Sequence, residues 1–334
     1  MLKRHWKALI PGLVLAGIAA VMLWAPYLPR LAHEGFPAPV WPAPGSFAEV
    51  AGKTGSAPPA GTETAALDPQ LRELLAGSGA KALLAFSDGA LAMEHYAEGF
   101  TAKTRFNSYS LVKSLIGALV LKAVADGRLS GLDQPLGAAL PDAGDETFRA
   151  VTLHALLEMR SGVLFETGGA KSLSGVATKD LEAAFANPFG PLARLHVQGL
   201  DAVKHRLSRT PEPVPKFNYQ NINTALLGAV LERAYGRPLE AILSEKIWAP
   251  AGAAPARWRR YNDSAGVSAY CCLYARARDW VKVARFITAN GSTAAPFLPD
   301  LQWRALLGLD LEPARLRKGV YGHHMRHDIL DRPG

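Results

Sequence analysis

Two serines in the chain are followed three residues later by a lysine: Ser78-Gly-Ala-Lys81 and Ser110-Leu-Val-Lys113. A lysine surrounded by apolar neighbours loses solvation, its pKa falls, and as a neutral amine it can take the proton from a serine hydroxyl. The spacing of three puts both side chains on one face of a helix. Context separates the two pairs. Ser78 lies between Gly77 and Gly79 just before a strand pattern, where its hydroxyl is mobile and Lys81 points away. Ser110 opens a run with apolar residues at helical spacing, Leu111, Leu115 and Leu119 with Ile116 and Val120, so its backbone N–H is a first-turn donor without a helical partner. The pattern alone arises by chance about once in a chain of this size, and its bland explanation is a capping serine with a lysine that snorkels to water. Tyr219-Gln-Asn221 is the only Y-x-N. A phenol beside an ammonium is drawn towards its anion and can pass a proton to a leaving group, while an amide two residues on can hold a substrate carbonyl. Taken singly, a core tyrosine and a helix-capping asparagine explain them as well.

The elements that must position these residues can be read from caps and periodicity. Asp68-Pro69 starts a short helix ending near Leu75, since aspartate caps and proline suits the first turn. The runs from Ala82 to Phe86 and from Leu91 to Tyr96 flank Ser87-Asp-Gly-Ala and form a hairpin. The helix from Ser110 ends at Asp126-Gly127, where glycine accepts the left-handed stop. A short helix begins at Thr152 and ends by Gly162. Further helices are expected over 179–186, 200–207, 221–234, 239–247, 276–290 and 301–307, so the middle of the chain, about 136–264, is expected to be a helical lobe. Residues 31–66 are rich in Pro, Ala, Gly and Ser and describe a tether.

At 334 residues with 49% hydrophobic side chains, the chain can bury a large core. Its net charge of +8 is concentrated after Pro250. Trp258 among Arg257, Arg259 and Arg260 is the one stretch approaching a nucleic-acid surface, so nucleic acid is not an expected partner. Cys271 and Cys272 are adjacent, and bonding them to each other would close an eight-membered ring. Two small buried side chains are expected there, with no metal site, because further ligands are lacking nearby. His323, His324 and His327 have helical spacing, but no supporting carboxylate completes a metal site. Gly322-His-His is followed by no strand-forming run. At the N-terminus, Lys3, Arg4 and Lys7 precede an uncharged run from Ala8 to Leu28. That predicts a membrane anchor over 1–30 with the rest exported, in the periplasm or outside the cell, or a secreted protein if the segment is cleaved.

Asn107-Ser-Tyr-Ser-Leu-Val-Lys-Ser114, Thr152-Leu-His-Ala-Leu-Leu-Glu-Met-Arg-Ser-Gly162 and Tyr219-Gln-Asn221 resemble, in order and spacing, the beta-lactamase-related serine hydrolases. That family includes class C beta-lactamases, D-alanyl-D-alanine carboxypeptidases, esterases and 6-aminohexanoate-oligomer hydrolases. Ser264 to Trp280 and Lys246-Ile-Trp-Ala-Pro-Ala-Gly252 resemble further landmarks, and the likeness covers about residues 65–325. It implies a beta-lactamase/transpeptidase-like fold over 67–334, an α/β part plus an all-α part, with an antiparallel sheet flanked by helices and a large helical insertion. It implies that Ser110 is acylated, Lys113 activates it, Tyr219 relays a proton and Asn221 orients a small amide or ester substrate. No metal or nucleotide cofactor is implied. The family's third motif (K-T-G, K-S-G or H-x-G) and the C-terminal strands that carry it are not found. The alternative is therefore an impaired relative that binds peptidoglycan-like ligands.

Overall fold

The computed structural model describes residues 2–33, 46–53, 67–87, 90–165, 187–212, 215–292 and 295–328. The expected helix over 179–186 lies outside them.

A four-stranded antiparallel sheet in the order β1-β5-β6-β4 supports the molecule: β1 (Phe47–Val50), β4 (Arg105–Asn107), β5 (Ala256–Arg259) and β6 (Leu273–Arg276). Val50, Trp258, Leu273 and Ala275 are buried. β1 falls inside the stretch read as tether, and β5 inside the stretch read as helical. In each case pairing with a partner far along the chain makes the strand, which local composition does not display. The expected hairpin forms from β2 (Ala82–Ser87) and β3 (Ala90–Tyr96). Glu94 of β3 is tied to Arg278, whose guanidinium holds that carboxyl below its usual range.

Several helices follow the sequence reading closely. They are α3 (Pro69–Ser78), capped by Asp68, α4 (Val112–Ala125), α5 (Leu153–Leu157), capped by Thr152, α7 (Asn221–Tyr235), α8 (Ala277–Thr288) and α9 (Asp300–Leu307). α6 (Pro191–Gln198) was not anticipated, and residues 200–207 form two 3-10 turns in place of one α-helix. α4 and α7 pack together at the centre of the core, with Ile116, Leu119 and Val120 against a cluster that includes Ile222, Leu226 and Leu227.

Three expectations require correction. Residues 2–24 do form a helix, α1 (Leu2–Trp24). Yet no helix among the described residues is long and apolar enough to cross a membrane, so the expected anchor and the bilayer location built on it are not supported. Its uncharged part, from Ala8 to the end of the helix at Trp24, rises about 26 Å, short of a hydrocarbon layer of about 30 Å. Beyond Trp24 the chain turns into α2 (Leu28–His33), where Tyr27 and Leu31 bury themselves against Ala193 and Val197 of α6. The second correction concerns the cysteines, because Cys271 and Cys272 are bonded to each other. Third, strands do flank Gly322-His-His: β9 (Val320–Gly322) and β10 (Met325–His327) form a hairpin. It is distinct from the small hairpin of β7 (Gly291–Ser292) and β8 (Ala295–Pro296). The tip of the β9–β10 hairpin seats against α4, so tertiary contact supplies what the short strands lack in propensity.

Candidate active site

The site is built where the N-terminal turn of α4 meets β6 and the start of α7. Ser110 lies on a 3-10 turn, Tyr109–Leu111, that leads directly into α4. The preceding Tyr109 has φ 44°, a left-handed conformation rare for a tyrosine and found preferentially at functional turns. Neighbouring side chains hold it there. Asn107 Oδ1 accepts the Tyr109 N–H at 2.9 Å, and the Ser108 hydroxyl donates to the Tyr109 carbonyl at 3.0 Å. Ser108 also stitches the turn to β6, because its N–H donates to the Leu273 carbonyl at 2.8 Å while its Oγ accepts the Leu273 N–H at 3.1 Å. The result is an exposed Ser110 on a turn braced by buried groups.

Lys113, by contrast, is only 1% exposed. Its Nζ lies 3.1 Å from Ser110 Oγ, 2.8 Å from Asn221 Oδ1 and 2.7 Å from the carbonyl oxygen of Tyr270. The rings of Tyr219 and Tyr270 stand 5.2 Å and 5.5 Å from the same nitrogen, within cation–π range. Asn221 is the buried first residue of α7. Gln220, just before it, anchors the loop by donating to the Val163 carbonyl at 3.0 Å. The four residues singled out from sequence therefore converge on one nitrogen, whereas Ser78 bonds the Leu75 carbonyl on the exposed end of α3.

The Beta-lactamase family profile matches residues 37–293 of this chain. The chain belongs to the Beta-lactamase family. Among solved structures, a protein assigned as a 6-aminohexanoate-dimer hydrolase from Bacillus anthracis superposes with a TM-score of 0.67 at 19% identity, over 84% of this chain and 76% of that one. A penicillin binding protein from Bacillus halodurans gives a TM-score of 0.56 at 16% identity, over 76% of this chain and 82% of that one. These likenesses are of fold. The proposed fimbrial assembly protein FimD, serogroup H1, of Dichelobacter nodosus is 32% identical over 146 residues, which is 42% of this chain. That match spans only 32% of the relative's length. The serine hydrolase fold inferred from the three motifs is thus the fold of this chain.

Residues that sequence reasoning passed over complete the surroundings. Tyr270 contributes a backbone carbonyl, which leaves no side-chain signature, although it lies within the stretch that carried the family resemblance. Its hydroxyl is 3.2 Å from His196 Nδ1. Tyr321 of β9 stacks edge-on against both Tyr219 and Phe217, continuing an aromatic row away from Lys113. Burial, followed by the proximity of Tyr219 and Glu158, raises the Tyr321 phenol well above its usual range, so it stays neutral. His323 and His324 sit at the hairpin tip, and among the described residues no group of His, Cys, Asp and Glu is arranged to hold a metal. Trp258 and Arg259 are buried in the sheet and offer no stacking surface.

Proposed function

We propose that this protein hydrolyses a small amide or ester through an acyl-enzyme on Ser110. The observation that carries the reading is the set of partners around Lys113. Tyr270 O and Asn221 Oδ1 can only accept, so each takes an N–H of the lysine, and Ser110 Oγ lies 3.1 Å from the same nitrogen. A neutral amine satisfies this arrangement by donating twice and receiving the serine O–H through its lone pair. Attack of Ser110 on a substrate carbonyl then transfers the hydroxyl proton to Lys113. Tyr219, whose ring faces the same nitrogen, is the relay that carries the proton to the leaving group, and Asn221 orients the substrate. The Ser110 N–H, in the first turn, serves as one donor to the oxyanion. Water then releases the acyl group.

The test is covalent labelling. A fluorophosphonate added to the purified protein adds mass to the peptide containing Ser110, and Ser110→Ala abolishes the adduct. Absence of labelling on the unmodified chain, under conditions that label an active relative, would overturn the hydrolase reading.

A further inference from the structure

Cys271 and Cys272 are the only cysteines in the chain and are joined to each other. The bond closes a small ring around a single peptide link, and Cys272 is held within it at φ 72°, a region seldom adopted by residues with a side chain. Both ends of this pair are built into the site. Tyr270, one residue before, gives its carbonyl to Lys113 at 2.7 Å. Leu273, one residue after, makes the two bonds to Ser108 that brace the nucleophile turn. Between them, the Cys271 carbonyl accepts Trp258 Nε1–H at 3.1 Å and the Cys272 carbonyl accepts the Arg259 N–H at 3.0 Å. Cys271 Sγ itself lies 3.3 Å from Ser268 Oγ. The disulfide therefore sits in a four-residue bridge between the base and the turn that carries the nucleophile.

We propose that the Cys271–Cys272 disulfide is a positioning element that keeps the Tyr270 carbonyl on Lys113, and that reducing it disengages the base. The proposal rests on the reading of Ser110 and Lys113 as nucleophile and base. A dithiol supplies the two electrons and two protons. One of its thiolates attacks Cys271 Sγ, at 7% the more exposed of the pair, breaking the Sγ–Sγ bond and releasing Cys272 as a thiol. The second thiol of the reductant attacks the mixed disulfide, and the reductant departs as a cyclic disulfide, leaving Cys271 as a thiol. With the ring open, Cys272 relaxes towards negative φ, turning the adjoining peptide planes and the Tyr270 carbonyl with them.

The experiment compares the full chain before and after treatment with dithiothreitol. Thiol titration in denaturant is expected to find no free thiol before treatment and two after it. Acylation of Ser110 by the fluorophosphonate is expected to slow by roughly a hundredfold on reduction, the scale of a misplaced catalytic group. Its pH profile is expected to shift, because Lys113 has lost a carbonyl partner. Cys271→Ala/Cys272→Ala matches the reduced rate and ignores the reductant. Cys271→Ala/Cys272→Gly is expected to label faster than the double alanine variant, since glycine adopts φ 72° at no steric cost. Two free thiols in the untreated protein, or equal rates and pH profiles in the two redox states, would overturn the proposal. If neither form is labelled, the hydrolase reading fails separately, and amide exchange over residues 268–276 still decides the role of the disulfide. Faster exchange on reduction supports it, and unchanged exchange overturns it.

Discussion

Lys113 and His324 are both buried nitrogen groups packed along the first turns of α4, yet their bonds end on different kinds of partner. Lys113 shares its nitrogen between two fixed carbonyl oxygens and the hydroxyl of Ser110, which is open to solvent. His324 places Nδ1 2.9 Å from the Leu157 carbonyl, which can only accept, so Nδ1 carries the proton. Nε2 therefore receives the Thr224 hydroxyl at 3.0 Å. Its own carbonyl accepts the Ser114 hydroxyl at 3.0 Å. Each group meets the requirement that buried polar atoms be bonded. The difference is one of access: the ring of His324 is held by Leu157 and Thr224, both fully buried, while one partner of Lys113, Ser110, is exposed, as the proposed chemistry requires.

Breaking the reactive side has the largest expected effect. Lys113→Met removes the proposed base while keeping an unbranched side chain in the same space, and fluorophosphonate labelling of Ser110 is expected to slow by about a hundredfold or more. A labelling rate near that of the unmodified protein would show that the two nitrogens do not differ in the way described.

Gly117 tests the pinning side. A Cβ at this position would lie 2.1 Å from the His323 carbonyl oxygen, which is backbone and cannot swing aside. Gly117→Ala is expected to lift the β9–β10 hairpin and cost about 1–3 kcal/mol in urea unfolding. Ser110 labelling per folded molecule should persist. Loss of labelling without loss of stability would mean that the hairpin belongs to the reactive side after all.

The smallest effect concerns acid. Burial pushes the His324 imidazole down from 6.5 to about 3. Between those values the unfolded chain binds a proton that the folded chain refuses, so stability declines as pH falls through the window and is untouched by this group above it. The slope reaches about 1.4 kcal/mol per pH unit. His324→Asn is expected to flatten it in urea titrations at a series of pH values, and an unchanged slope would refute the assignment.

Local physics made much of this molecule legible in advance. The Asp68 and Thr152 caps, the apolar spacing after Ser110 and the two strand-forming runs that flank Ser87-Asp-Gly-Ala each act over a few residues, and all appear where expected. Residues 200–207 differ because two 3-10 turns and an α-helix share composition. β1 and the β9–β10 hairpin are too short to declare themselves. Their strands exist through pairing or docking with residues more than 150 positions away, between Val50 and Ala256 or between Gly117 and His323.

The active-site chemistry divides along the same line. Residue type and spacing along the chain determine that Ser110 and Lys113 share a helical face and that Tyr219 and Asn221 arrive together on one loop. Both relations are short in sequence and follow from helix and turn geometry. Only the tertiary structure decided that Asn221 and the Tyr270 carbonyl close around Lys113, at separations of 108 and 157 residues. It also decided that Cys271 and Cys272, unremarkable as a dipeptide, bond to each other beside that carbonyl. A backbone oxygen has no letter in the sequence, and its position is set only when the sheet and α4 pack against each other.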